Sequence, residues 1–223
     1  MAVRDAEATK ARIFEAATAE FAAHGIAGAR VDRIAQNAQA NKQLIYAYFG
    51  DKQKLFYKVL DKTLVQVAEM VSTDITDLDK WVDEHIDYHR EHPELLRLLM
   101  WEALEVAEDQ VCRSEDRAQR YAAKRKKIED AQERGLARTD MPSAYLLMML
   151  MGMVNYAAAL PQVRGLLFGE SFDAEQLRDW TKDAVKRVAA RAADDPVVPA
   201  AAGPAAATDA DANADGPAVA AER

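Results

Sequence analysis

The sequence predicts an all-α protein, and three observations carry that prediction. Half of its 223 residues are apolar, and Ala, Leu, Glu, Lys and Arg, which lose little on entering a helix, dominate the composition. The apolar positions recur at intervals of three and four rather than two. Gly or Pro closes most of these periodic stretches, and Thr, Asn or Asp opens them. The length suits one sizeable domain, or a small domain joined to a larger one.

Residues 9–24 read as the first helix, with Thr9 at its start and Ile13, Ala17 and Phe21 repeating every four positions as a buried stripe. His24-Gly25 ends it, because Gly takes a left-handed C-terminal position without steric cost, and Gly28 adds a second break. Arg30 to Gln36 forms a short second helix with Val31, Ile34 and Ala35 turned inward. The residues NAQA make a turn, Asn41 caps a third short helix running to Phe49, and Gly50 breaks the chain again. Asp51 then caps a longer helix with Leu55, Val59, Leu60, Leu64, Val67 and Val71 on one face.

The remaining chain reads as further amphipathic helices over 77–92, 93–108, 114–134, 143–160 and 173–192. Pro93 suits a first turn, Gly135 and Pro161 act as stops, and Asp173 with Gln176 has capping-box spacing. From Asp194 the chain is rich in Ala, Pro, Gly and Asp and has no aromatic residue, so a disordered tail is expected over 194–223.

Several function classes drop out. Cys112 is the lone cysteine, which excludes a disulfide within the chain and makes a reducing, cytoplasmic location the expectation. The N-terminal residues spread their charges with no continuous apolar core, unlike a signal peptide. The most apolar run, Ala144 to Pro161, falls just short of a membrane span and carries Asn155, two Tyr and a Gly; a buried or dimer-forming helix explains it better. There is no Gly-rich phosphate loop, HExxH, GxSxG or supported Cys–His pair, so neither an enzyme nor a cofactor is expected. The net charge of −8 hides an asymmetry: nine Lys/Arg oppose six Asp/Glu up to Lys58, and 20 oppose 31 beyond it. That distribution fits contact with phosphates on one small face, the acidic body being repelled.

Two helices of about two turns, joined by a short turn and followed by a long helix, make a helix-turn-helix arrangement. Neither short helix is stable alone, so the first and fourth helices must clamp them through Phe21, Ile34, Ile45, Phe49 and Leu55 or Phe56. A second helix presented in this way can lie in a major groove with its first residues at the base edges. The stretch NKQLIYAYFGDK (41–52) therefore has two readings: an aromatic core corner with solvated lysines, or a surface that meets an anionic, hydrogen-bonding partner. The cap and the two clamps favour the second.

The run FAAHGIAGARVDRIAQNAQANKQLIYAYFGDKQKLF (21–56) resembles the DNA-binding domain of the TetR family of bacterial transcriptional regulators. An aromatic residue followed by HG, V-x-x-IA, the polar cap, L-I-Y-x-Y-F and x-K-x-x-LF all fall at the family's spacing, over residues 8–60. The resemblance implies that Lys42 and Gln43 contact base edges or phosphate behind the Asn41 cap, and that Tyr46 meets the DNA. It likewise implies that Tyr48 and Lys52 reach phosphate and that Arg30 stands where the DNA backbone is contacted. Phe49 matches a core position. The chain departs from the family at Gln39, usually Gly, at Ala40, usually Val, and at Arg30, usually a hydroxyl cap. A Gln held at positive φ costs roughly a kcal/mol.

The same resemblance implies three parts: a helix-turn-helix domain at 1–58, a helical ligand-binding and dimerisation domain at 59–193, and the tail. A homodimer would set its two recognition helices about 34–36 Å apart on a palindromic operator of double-stranded DNA. Leu146, Leu150, Val154, Trp180, Val185 and Val188 on the helices at 143–160 and 173–192 are its expected interface. An unidentified small-molecule effector is expected among Trp81, His85, Tyr88, Trp101, Tyr145, Met148, Met149 and Asn155, positions that equally suit plain core. His85, His89 and His92 share a helical face, yet no metal site is assigned to them. The basic run from Arg120 reads as a solvated face with a Lys126–Asp130 pair. The runner-up function is a helical dimer that serves protein interaction without sequence-specific DNA binding.

Overall fold

The computed structural model describes residues 2–107 and 115–190, with side chains from Ala6 onward; the expected tail, Cys112 and the predicted helix edges at 108, 114 and 191–192 lie outside them. Among the described residues there are ten α-helices and no strand, as the periodicity predicts. They are α1 (Ala2–Gly28), α2 (Val31–Asn37), α3 (Lys42–Phe49), α4 (Lys52–Met70), α5 (Leu78–Glu91), α6 (Glu94–Glu105), α7 (Glu115–Glu133), α8 (Ser143–Ala159), α9 (Pro161–Phe168) and α10 (Ala174–Ala189).

Two elements differ from expectation. The first helix begins at Ala2, so Thr9 lies inside a turn, where its hydroxyl accepts from Arg12 (3.1 Å) instead of capping. Ala2, Arg4, Ala6, Glu7 and Ala8 before it are good helix formers, which leaves Thr9 no boundary to mark. The second is α9. Pro161 stops α8 as predicted, but it also serves as the first residue of a new helix, bent 78° from α8. A proline lacks only an N–H that a first turn leaves unbonded, so one residue ends a helix and starts another.

Two apolar cores hold the chain. The first joins α1, α2, α3, α4 and α6 around Ile13, Phe21, Ile34, Ile45, Leu55, Phe56 and Leu98. Phe21 and Phe56 meet edge to face at 5.3 Å inside it. The second joins α5, α7, α8 and α10 around Trp81, Val82, Ile128, Leu146, Leu150 and Val185. Along α5, Asp79, Asp83 and Asp87 fall four residues apart and meet Lys186, Lys182 and Arg178 of α10 at 2.9, 2.8 and 2.7 Å, an antiparallel ladder of charge. No single helix among the described residues is long and apolar enough to cross a membrane.

Candidate nucleic-acid interface

The recognition helix is built from its cap upward. Asn41 is extended (φ −76, ψ 135) and its side chain accepts the Gln43 N–H at 2.8 Å, which satisfies one of the free donors at the start of α3. Ile45 and Phe49 then face the first core, and Phe14 of α1 meets Phe49 edge to face at 5.1 Å. Because these two positions fix the helix's phase, Lys42, Gln43, Leu44, Tyr46 and Ala47 point to solvent, with Tyr46 45% exposed. Tyr48 is half-buried between Phe49 and the Lys10 ammonium, which stands 5.4 Å from its ring.

The turn into α3 is strained where the sequence departs from the family pattern. Gln39 adopts φ 50, the one positive φ among non-glycine described residues. The turn is closed by Ala40 N–H donating to Ala35 (2.9 Å), and Arg12 of α1 donates to the Ala38 carbonyl at 3.1 Å. No side chain caps α2, and its start is tied to α1 instead. Glu20 of α1, 5% exposed, accepts the Arg30 N–H at 2.8 Å and both the Nε and Nη2 of Arg33. Burial alone would push the Glu20 carboxyl up, but the Arg33 and Arg30 hydrogen bonds hold it below its ordinary value. This carboxylate was missed in the sequence, although Glu20 borders the apolar stripe at Ala17 and Phe21, where an acidic residue requires a cation.

The cations of the face have different attachments. Lys42 pairs with Asp32 of α2 at 2.8 Å, both side chains being exposed, and the bond raises the lysine's pKa. Lys52 donates to the carbonyls of Ala27 and Ala29, 3.1 Å each, and so ties the start of α4 to the end of α1. The Arg30 side chain is exposed beside them. Thus Asn41, Lys42, Gln43, Tyr46 and Arg30 share solvent-facing positions, whereas Tyr48 and Lys52 also hold the scaffold.

α6 fixes this domain to the rest of the chain. Arg97 and Trp101 both donate to the Ala22 carbonyl (2.6 and 3.2 Å), and Glu105 accepts the Ala27 N–H at 2.8 Å. The α1 break lies between these contacts, at Gly25 with φ 68; a side chain there would run into Trp101 and Glu105. Trp101 is therefore bound into the junction of α1 and α6.

The other effector candidates divide. A small recess of about 10 Å³, room for about one water molecule, lies between α4, α5, α7 and α8, and Trp81 and His85 line it together with Val71, Lys124, Leu147 and Met151. Helical phase turns Leu147 and Met151 toward it and leaves Tyr145, Met148 and Met149 at the surface. Tyr88 is buried in the first core instead, its ring 4.7 Å from that of His92. His85 donates its Nδ1 proton to the Trp81 carbonyl (2.7 Å), and burial lowers its pKa to about 4, so it is neutral with Nε2 left as an acceptor. Burial lowers Lys124 as well, with Arg120 nearby adding to it.

His85, His89 and His92 turn to separate partners: Trp81, the Asn155 amide (2.7 Å) and Glu94 (3.3 Å). Among the described residues no group of His, Cys, Asp or Glu is placed to hold a metal ion. Of the expected interface, Leu146, Leu150, Val154 and Val185 are buried in the chain's own second core, beyond a second chain's reach; Val188 is partly buried and Trp180 is 56% exposed. The basic run on α7 is largely spoken for, with Arg120 paired to Asp61, Arg125 to Glu129 and Lys126 to Asp130, and Arg117 just before it pairs with buried Glu102.

Comparison with known proteins agrees with this geometry. Residues 13–59 match the family described as bacterial regulatory proteins, tetR family, and residues 77–187 match the tetracyclin repressor-like C-terminal domain. The chain is 50% identical over 193 residues to the HTH-type transcriptional repressor SCO4008 of Streptomyces coelicolor, covering 86% of this chain and all of that one. It is 27% identical over 189 residues to the HTH-type transcriptional repressor NicS of Pseudomonas putida, covering 79% of this chain and 89% of that one. Among solved structures, the transcriptional regulator SCO4942 of Streptomyces coelicolor superposes with a TM-score of 0.71 at 31% identity, covering 81% of this chain and 98% of that one.

Proposed function

Because the chain belongs to the tetR family of bacterial regulatory proteins, and is a DNA-binding transcriptional regulator rather than an enzyme, we propose that it represses transcription from a near-palindromic operator. One observation carries this reading: a capped helix, α3, whose inner face is locked by Ile45 and Phe49 while Lys42, Gln43 and Tyr46 face solvent on the other side. A helix held that way presents hydrogen-bonding groups at fixed positions, which base readout requires. Gln43 has the groups for a bidentate bond to adenine, Lys42 reaches guanine acceptors or phosphate, and the Tyr46 hydroxyl reaches the backbone. Asn41 and Arg30 flank them, and Tyr48 and Lys52 add phosphate contacts from the edge of the scaffold.

Members of this family bind DNA as dimers, and a homodimer of this chain places two copies of α3 in successive major grooves on one face of the duplex. The repressor activity follows the relatives, both of which are named repressors. Release follows from a small effector that widens and fills the recess beside Trp81 and His85, with Asn155 behind His89. Its differential affinity for the two conformations sets how far the operator equilibrium moves. α6 is the connection, since Glu102 pairs with Arg117 of the helix that lines the recess while Arg97, Trp101 and Glu105 grip α1. A partner of chromosomal DNA works in the cytoplasm.

The test is selection from random duplex DNA by the wild type and by Lys42→Ala/Tyr46→Ala. Enrichment of an inverted repeat by the wild type alone supports the reading. Absence of enrichment by either protein at low salt overturns it.

A further inference from the structure

Leu44 is 37% exposed and belongs to neither apolar core. A single exposed leucine is ordinary on a protein surface, but the position of this one is informative. Among the described residues before Val65, the large apolar side chains left exposed are those of Leu44 and Tyr46, and both stand on α3. The fold does not require leucine there. Gln, Lys and Arg form helices about as well and would leave no apolar surface in water.

The phase of α3 shows what surrounds it. The helix turns by about 100° per residue, and Ile45 and Phe49 face inward. Ala47 therefore stands at the centre of the outer side, with Gln43 and Leu44 flanking it. Ala47 lies four residues from Gln43 and three from Leu44, so the three are neighbours on the helix surface. The small side chain of Ala47 lets the helix come close to its partner. Beside it the Leu44 methyls form an apolar edge next to the Gln43 amide. α3 has no acidic residue, so nothing along it opposes a polyanion.

An amide and an aliphatic edge side by side match the major-groove edge of an A·T pair. Adenine offers the acceptor and donor that a Gln amide fits, and thymine adds its C5-methyl, where cytosine has only a hydrogen. We propose that Leu44, with Ala47 beside it, reads a thymine methyl in each half-site, within one base pair of the adenine that Gln43 engages. The inference rests on recognition through α3 and adds to it a residue that makes no hydrogen bond. Because the contact is uncharged, it discriminates between bases and leaves the salt dependence of binding alone.

Deoxyuridine isolates the methyl, since it pairs as thymidine does and lacks only that group. The test is fluorescence anisotropy on the selected operator, with each thymidine replaced in turn by deoxyuridine at both symmetric positions. At one of these positions wild-type affinity falls by about 4-fold per methyl, roughly 15-fold over the two half-sites. Leu44→Ala binds the thymidine operator more weakly by at least as much, does not respond to deoxyuridine at that position, and keeps the wild-type salt dependence. Leu44→Met, which keeps an apolar reach, retains the discrimination. Circular dichroism checks that both variants fold. A wild type that binds the operator and is indifferent to every deoxyuridine would overturn the assignment while leaving operator recognition standing. So would Leu44→Ala that still loses affinity at the same position, or a selected half-site without thymine. If selection enriches no operator, recognition through α3 fails and the assignment falls with it.

Discussion

Lys42 and Asp32 hold each other across the helix-turn-helix, ammonium to carboxylate at 2.8 Å, on the face proposed to meet DNA. Before phosphate or a guanine edge engages Lys42, this bond has to loosen, and the Asp32 carboxylate then stands near the phosphates. An exposed pair of this kind contributes little to stability, so its effect falls on binding.

Asp32→Asn therefore tightens DNA binding by about 3- to 10-fold, more on scrambled duplex than on operator, because the gain is electrostatic and carries no sequence information. Fluorescence anisotropy with both duplexes at two salt concentrations measures it. Weaker binding by the variant would show that Asp32 positions Lys42 instead of competing for it.

Glu20 is the buried anchor of α2, accepting from Arg30 and Arg33 at once. Glu20→Ala strips the carboxylate from both donors and destabilises the protein by about 2–4 kcal/mol. Urea unfolding gives the value. Arg33→Met leaves that carboxylate buried with only a backbone donor, and its loss falls in the same range.

Gln39 sits at φ 50. Gln39→Gly removes the steric cost there and raises stability by up to about 1 kcal/mol, and Gln39→Val, branched at Cβ, lowers it by about 1–2 kcal/mol. Thermal melts of the three proteins decide this. A melt unchanged by valine would mean that the turn shifts out of the left-handed region.

Acid should weaken the helical domain in two stages. His85 is 3% exposed and titrates at about 4 when folded against 6.5 in its ordinary state, so its neutral form favours the fold. That contribution is complete above pH ~6.5 and is lost as the pH falls toward 4, where it amounts to about 3 kcal/mol. His89, lowered by burial, adds in the same direction. Asp83, held low by Lys182 and Arg178 against its burial, and Asp87, held low first by its Arg178 hydrogen bond, keep their contribution down to lower pH and lose it below the ordinary carboxylate range. Urea midpoints from pH 7 to 3 for the wild type and His85→Phe check the first stage: the variant's curve is flatter between 6.5 and 4.

Much of this fold is legible because a cap is a local event. Asn41, Asp51, Asp77 and Asp173 each place a side-chain oxygen on a donor two or three residues on, so a short stretch of sequence contains the whole interaction. The inward phase of α3 is equally local, set by Ile45 and Phe49. What escapes the sequence depends on distance along the chain or on direction. Glu20 reaches Arg33 thirteen residues away, and Lys52 reaches the carbonyl of Ala27 twenty-five residues back. Spacing alone marks Leu146, Leu150 and Val154 as a buried stripe, but it is the same whether the stripe faces the chain's own core or a partner. Only the placement of α5, α7 and α10 distinguishes the two. Pro161 was legible as a stop and not as a start, since proline satisfies both roles.

The most direct measurement is a hydroxyl-radical footprint of the wild-type protein on the inverted repeat enriched by selection. Two protected windows centred about one helical turn apart, 34–36 Å, both lost with Lys42→Ala/Tyr46→Ala, are expected of two α3 helices in successive major grooves. A single window, or protection that survives the double substitution, would contradict recognition through α3.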